Sequence, residues 1–398
     1  MRPRGLMGLM RLMGPIGPMR LMGPMGLMGL IGLMGLMGSC SGSEDPTPQV
    51  PVVPEVQESG DPITFGSSME DAQSVTKATT RTTTPLHDKG VGSMRVYGYK
   101  NTAYDDDDGA YTAYQTVMDG YRLWWNTAVS ASNPNGDWEY VGEEGIHGEV
   151  VLTAAQTIKF WDWSALAYRF MAVAPASALQ SASVVGDATK SLRLTMNDVS
   201  VSDEDNMPYY SRLWYSTGSS VDFPNRQFGE TVQLEFVKPL CHVRIMFTFE
   251  DPSKEATTTF TNISFSPGDG GIIEQSGDVS VVYPLTGTGL AETLEVSDAT
   301  GLSAITEYYY ETPNNAGARK WYAVLPATGQ GVFTLAVSVN GEPKTTTVPA
   351  NYMDWLPNYD YTYVFKVHVD GGVSIDSVKS AFAPWGTEHE GSHEVYNW

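Results

Sequence analysis

Few residues in this chain combine the types and spacing that do chemistry. The most pointed set is Gly38-Ser39-Cys40, two small residues directly before a thiol, followed by the acidic run Ser43-Glu44-Asp45. Nothing around Cys40 is able to form a core, so its thiol reads as an acceptor for acyl transfer rather than a packed side chain. Asp105–Asp108, four successive carboxylates between Tyr104 and Gly109, lack the spaced oxygens and the closing bidentate Glu of an EF-hand loop and read as a solvated turn. Ser202-Asp203-Glu204-Asp205-Asn206 reads the same way. His389 and His393 stand four apart amid Glu388, Glu390 and Glu394, but Gly386 and Gly391 argue against the helix that would bring both to one metal, so a surface tail is expected. No Gly-X-Ser-X-Gly, Walker loop or dinucleotide fingerprint occurs. Paired carboxylates beside aromatic surfaces hydrolyse glycans in other proteins, yet most aromatics here alternate with polar residues inside strands, as core positions do. No catalytic set is named, and the expectation is a protein that is not an enzyme and uses neither cofactor nor metal.

The elements around Cys40 give its chemistry a setting. Met1–Ser39 carries Arg2, Arg4, Arg11 and Arg20, no acid, and a repeating Leu-Met-Gly pattern, the charge and hydropathy order of a secretory signal. Its length and the interruptions at Arg11 and Arg20 point to an internal methionine as the true start. With Gly38 and Ser39 before Cys40, and Met37 where the pattern prefers Leu, the junction looks like a bacterial lipobox. A cysteine so lipidated gains roughly 0.8 kcal/mol for each CH₂ buried in a bilayer, enough with two or three chains to hold a folded protein on an outer membrane.

Composition bounds the remainder. The chain has 24 Lys+Arg against 46 Asp+Glu, and all four positive charges of residues 1–39 leave with the signal. A polyanion of this kind repels nucleic acid and anionic lipid heads, which excludes both as partners. The remaining length exceeds what one hydrophobic core usually supports, so two domains are expected. Once Cys40 is lipidated only Cys241 is left, which excludes an internal disulfide.

Residues 40–61, with Pro46, Pro48, Pro51 and Pro54, read as an extended tether. Ser43-Glu44-Asp45 also resembles the acidic export signal of surface lipoproteins in Bacteroidetes. Ile63-Thr64-Phe65 is a short alternating strand, and Gly66–Lys89, rich in Thr and Ser, reads as a mobile loop. Lys77, Arg81 and Lys89 lie within it as basic residues in polar surroundings, the setting that a trypsin-like protease prefers. From Met94 onward the pattern is β: Tyr121–Trp125, Glu149–Leu152, Thr157–Trp161, Tyr168–Val173, Ser191–Leu194, Gln233–Val237, His242–Phe249, Thr259–Phe265, Val279–Val282, Tyr308–Glu311, Lys320–Leu325, Val332–Val339 and Tyr361–Val369 are expected strands, and Trp163–Ala174 is open to strand or helix. Asn133-Pro134-Asn135-Gly136, Ser266-Pro267-Gly268-Asp269-Gly270 and Asn340-Gly341 supply turns. Val243, Ile245, Phe247 and Phe249 alternate on one face, as an antiparallel sandwich requires.

Taken together, the lipobox, the proline-rich tether, the early strand, Val75-Thr76-Lys77-Ala78-Thr79-Thr80-Arg81 and the opening strand Val96-Tyr97-Gly98-Tyr99 resemble the N-terminal half of Bacteroidales fimbrillins, the subunits of type V pili. Val232-Gln233-Leu234-Glu235-Phe236 leading into His242-Val243-Arg244-Ile245, then Trp355–Tyr363 and the terminal Val395-Tyr396-Asn397-Trp398, extend the resemblance over most of the chain. One departure is Lys238-Pro239-Leu240-Cys241, where the family usually places a histidine. The resemblance implies an all-β chain of two transthyretin-like antiparallel β-sandwich domains in tandem, residues 62–250 and 251–398. It implies a lipoprotein carried on Cys40 to the outer membrane and the cell surface. An arginine-specific protease would cut at Arg81, with Lys77 and Arg95 as lesser sites, and Ile63–Phe65 would be discarded. A strand from the C-terminal region of another copy, for which Val364–Val369 and the residues through Trp398 are candidates, would fill the exposed edge. Partners would be other fimbrial subunits and a host or bacterial surface ligand.

Two other readings stand beside it: a surface lipoprotein that binds glycans through Trp124, Trp125 or Trp138, and a tip or anchor subunit that keeps its groove but donates no strand. Asp376-Ser377-Val378 resembles a Bacteroidetes O-glycosylation site, though an ordinary loop is the simpler expectation.

Overall fold

A computed structural model describes residues 60–71, 82–127, 137–140, 156–217, 227–310 and 321–382. Strands make up 59% of it, joined by loops and short 3-10 turns. In chain order the first part contributes β1 (Phe65–Asp71), β2 (Thr82–Thr84), β3 (Ser93–Asp105), β4 (Ala110–Asn126), β5 (Asp137–Tyr140), β6 (Ala167–Ala174), β7 (Ser181–Val185), β8 (Ser191–Ser200), β9 (Tyr209–Ser211), β10 (Trp214–Ser216) and β11 (Val232–Val237). The second part contributes β12 (Cys241–Phe249), β13 (Phe260–Pro267), β14 (Ile273–Pro284), β15 (Thr293–Leu302), β16 (Tyr308–Tyr310), β17 (Tyr322–Val324), β18 (Phe333–Val339), β19 (Glu342–Val348), β20 (Tyr359–Val367) and β21 (Val373–Phe382). The expectation of an all-β chain holds.

The first sheet runs β10-β6-β3-β4-β5-β1-β11-β9, and β9 pairs back onto β6. That last pairing closes the path into a ring, so the sheet encloses a core of its own. Phe65, Val96, Met118, Trp138, Phe170, Trp214 and Leu234 all lie inside it. The outside of β3, β6 and β9 is covered in turn by a four-stranded sheet, β15-β14-β8-β7, over a second core that includes Tyr97, Met171, Val173, Leu194, Tyr210 and Val281. β6 sits between the two cores, which explains why every residue of Ala167–Ala174 is buried. Its continuous apolar reading, ambiguous between helix and strand in the sequence, is that of a strand covered on both faces.

The second sandwich packs β16-β12-β20-β21, with β17 also on β12, against β13-β18-β19. Val243, Ile245 and Phe247 point into its core, where Phe247 stacks on Phe260 at 4.2 Å between ring centroids. Asn340 and Gly341, both at positive φ, make the two-residue turn between β18 and β19, as their sequence demands.

Three expectations are corrected. The pairing changes sandwich between β11 and β12, at Lys238-Pro239-Leu240, rather than at residue 250, because β12 pairs along its whole length with β20. The division is also not clean, since β14 from the second part pairs with β8 from the first. Gly66–Lys89 is not a loop throughout: β1 continues to Asp71, β2 returns beside it, and Leu86–Lys89 forms a 3-10 turn with Leu86 fully buried. Thr157–Trp161 is no regular strand; it makes one bridge, Pro62 to Phe160, and its Lys159 carbonyl accepts from Ile63 N–H at 2.8 Å. Glu149–Leu152 and Asn133–Gly136 lie outside the described residues.

Candidate functional site: the place of the first strand

β1 is built from an alternation that runs further than its three apolar residues suggest. Ile63, Phe65 and Met69 point inward at 0%, 1% and 3% exposure, and Ser67, the inward position between them, is bonded by the indole of Trp138 (Nε1 to Oγ, 2.9 Å). Burying three side chains of this size contributes about 1.5–3 kcal/mol each. Phe65 meets Tyr140 and Phe170 edge to face, at 6.3 and 5.6 Å between centroids. Just before it, the Tyr140 hydroxyl donates to the Ile63 carbonyl at 2.6 Å. Burial pushes that hydroxyl well above the usual tyrosine range, so it stays a neutral donor.

The backbone of β1 is held mainly on one side. Phe65–Met69 pair in parallel with Val232–Phe236 of β11, and Val232 N–H donates to the Thr64 carbonyl at 2.8 Å. On the other side, among the described residues, β5 offers a single registered pair, Phe65 with Trp138, and β2 pairs with the last three residues. This parallel pairing joins the first strand among the described residues to one far along the chain, which only a long crossover connection allows. Were β1 withdrawn, the ring would open between β5 and β11. The N–H and C=O groups of β11 would then lose their partners, as would Trp138 Nε1 and the Tyr140 hydroxyl, beside an apolar trough. Binding another extended segment is the chemistry such an arrangement performs.

The expected site residues fall as follows. Lys77 and Arg81 belong to residues 72–81, which join β1 to β2 and lie outside the described residues, as does Cys40. Arg95 is placed in β3, paired with β4 on one side and β6 on the other. In the uncut chain the peptide bonds around Arg95 are thus paired on both sides, whereas a protease takes an extended, unpaired substrate. Val364–Val367 are corrected as donor candidates, because β20 lies between β12 and β21 and is nearly all buried. Residues 383–398, His389 and His393 included, lie outside the described residues.

The three tryptophans proposed for glycans do not form one surface. Trp124 is 48% exposed, Trp125 stacks on the His87 ring at 3.5 Å, and Trp138 is buried against β1. Asp105–Asp108 form the hairpin turn between β3 and β4, with Asp105 Oδ1 accepting from the N–H of Asp107 and of Asp108, as a solvated turn predicts. Among the described residues no cluster of His, Cys, Asp or Glu is arranged for a metal, and no helix is long and apolar enough to cross a membrane. Asp376-Ser377-Val378 lies in β21, where Lys366 pairs with Asp376, rather than in a loop.

The sequence reading missed Ser67, Trp138 and Tyr140 as a set. The available signal was the inward register of Ile63 and Phe65, which continues through Ser67 to Met69.

No protein-family model matches the chain, and no curated protein matches it. Among solved structures it is similar to a fimbrial protein from Bacteroides vulgatus, at 14% identity and a TM-score of 0.37 over 81% of this chain and 99% of that one. It is also similar to a fimbrial assembly protein from Parabacteroides distasonis, at 12% identity and a TM-score of 0.31 over 79% of this chain and 99% of that one.

Proposed function

We propose that this chain is a structural subunit of a type V fimbria at the cell surface, where it serves adhesion. It is exported as a lipoprotein anchored to the outer membrane through Cys40, cut after Arg81 by an arginine-specific protease, and polymerised when another copy supplies a strand to the place that β1 vacates. The observation that carries this reading is the seating of β1. Among the described residues it is the strand that closes the ring between β5 and β11 and the first strand in chain order, and the connector that follows it contains Arg81. Cutting there frees β1 from the rest of the covalent chain while leaving its ladder and three buried side chains to be replaced by equivalents.

The test is Arg81→Ala in the exporting cell. The expected result is an uncut precursor and loss of the polymer ladder on non-reducing gels. Ladders of unchanged length, or assembled material whose N-terminus is still Cys40, would overturn the proposal.

A further inference from the structure

Away from the place of β1, a cavity of about 390 Å³ opens where the hairpin end of β3 and β4, the start of β6, the end of β10 and the loop after β14 come together. Tyr104, Tyr111 and Tyr215 wall it, Leu166 and Leu290 flank them, and Thr217 adds a hydroxyl group. The rings meet at steep angles, Tyr104 on Tyr111 at 62° with centroids 5.0 Å apart and Tyr111 on Tyr215 at 66° and 6.2 Å. Rings set in this way make a corner rather than a flat platform. Tyr104, Leu166 and Leu290 are 45%, 42% and 47% exposed, and large apolar side chains gathered round one hollow mark a contact site in a way that scattered ones do not. The corner is also fixed before any guest arrives. Tyr111 N–H donates to the Gly287 carbonyl at 3.2 Å, Gly287 N–H returns the bond to the Tyr111 carbonyl at 2.7 Å, and the Tyr111 and Tyr215 hydroxyls lie 2.8 Å apart. Walls already ordered spare a guest the cost of ordering them.

Charge narrows what the guest is. Arg169 is fully buried against two of the same rings, with its guanidinium 5.5 Å from the Tyr111 centroid and 5.0 Å from the Tyr215 centroid. A second cation over these rings would meet a like charge beneath them, which offsets the attraction of an aromatic face for a cation. An anion would have to come past Asp106, Asp107 and Asp108, exposed on the turn between Tyr104 and Tyr111, in a chain of formal charge −22. The two fields oppose each other and favour neither sign. What is left is a neutral guest with an apolar face for the rings and hydrogen-bonding groups for the phenols and Thr217. A pyranose has both, since one face of its ring presents C–H groups, whose slight positive charge suits the negative face of an aromatic ring, while its hydroxyls stand round the edge.

We propose that this corner is a binding site for a neutral sugar, with the ring laid against Tyr104 and Tyr111 and its hydroxyls reaching the phenols and Thr217. It differs from the tryptophans considered for glycans, which the structure scatters. It shares no wall with the place of β1, so it stands whether or not that strand is exchanged.

The test is saturation-transfer NMR on the full mature chain. The neutral probes are the methyl glycosides of glucose, galactose, mannose, fucose and N-acetylglucosamine; sialic acid and Nα-acetyllysine amide are the charged ones. The expected result is transfer to the ring C–H groups of at least one neutral probe, with a dissociation constant on the order of millimolar, as suits one sugar ring on an open site. Tyr104→Ala and Leu290→Ala, both at exposed positions and with unchanged unfolding midpoints, should each weaken binding, Tyr104→Ala by about tenfold. Tyr104→Phe should stay close to the parent, and Trp124→Ala, at an exposed tryptophan outside the corner, should match it. No transfer to any neutral probe, or transfer that survives both alanine variants, would overturn the assignment. Stronger transfer to sialic acid or to the lysine derivative than to every neutral sugar would overturn it as well.

Discussion

His242 Nδ1 lies 3.1 Å from Asp360 Oδ1, and the same ring places Nε2 3.6 Å from Glu204 Oε1, so one imidazole joins β12 and β20 of the second sandwich to the 3-10 turn Val201–Asn206 of the first. Lys238 completes the group by reaching the Glu204 carbonyl. Burial alone would pull the imidazole down; the hydrogen bonds and charges of Asp360 and Glu204 outweigh it and hold His242 above its usual range. Glu204 is held below the usual carboxylate range, chiefly by the His242 hydrogen bond.

The pH dependence follows from those directions. A base whose pKa is higher folded than unfolded contributes fully below the unfolded value, about 6.5, and its contribution fades as pH rises through the folded value. Glu204 has the opposite sign, contributing above its unfolded pKa and losing it as pH falls through the lowered one. The bridge should therefore be strongest in mildly acidic solution. Thermal unfolding of the parent and of His242→Gln should differ most near pH 6 and converge by pH 9, with each kcal/mol worth about 2–4 °C. A difference that stays constant from pH 6 to pH 9 would refute the bridge.

Arg169 is fully buried with no carboxylate beside it among the described residues. Its Nε donates to Asn101 Oδ1 at 3.0 Å, its Nη1 to the carbonyls of Pro284 and Gly289, and its guanidinium lies 5.0 Å from the Tyr215 ring centroid. It thus fastens the connection after β14 to the start of β6. Arg169→Met should cost about 2–4 kcal/mol in urea unfolding and admit proteolysis around residues 284–290. Arg169→Lys should not restore stability, since an ammonium cannot span these acceptors as a planar fork does. An unfolding midpoint unchanged in either variant would contradict this role.

Within the uncut chain β1 should be separable from the rest by its exchange behaviour. Phe65→Ala removes the largest side chain that β1 buries and should cost about 3–5 kcal/mol. Tyr140→Phe leaves the Ile63 carbonyl without its donor, at about 1–3 kcal/mol. In both variants, amide hydrogen exchange should quicken along β1 and β11 and stay unchanged along β12 and β18. Equal acceleration throughout would show that β1 is not an independently removable element.

How much of this was legible in the sequence varied with what held each strand. Val243, Ile245 and Phe247 announced β12 because its alternation is local, and Asn340-Gly341 announced its turn because two positive φ values select those residues. β15 and β19 went unread: Thr293–Leu302 and Glu342–Val348 are largely exposed edge strands whose polar residues look like loop. β1 was legible only at its start, through the alternation Ile63-Thr64-Phe65, since Gly66, Ser67 and Ser68 carry no apolar signal and the indole that explains Ser67 lies 71 positions away. The parallel partners of β1 and β12 were invisible for the same reason, because no short window encodes which distant strand will lie alongside.

β14 and β8 are in register at positions from Ser276 with Ser200 to Pro284 with Ser191, one strand from each side of the Lys238-Pro239-Leu240 crossing. That ladder adds to the His242–Glu204 contact and to the Arg169 bonds with Pro284 and Gly289, so the two sandwiches are joined by far more than the three-residue crossing. With it, the two parts share one sheet, and separating them would break a whole ladder of hydrogen bonds.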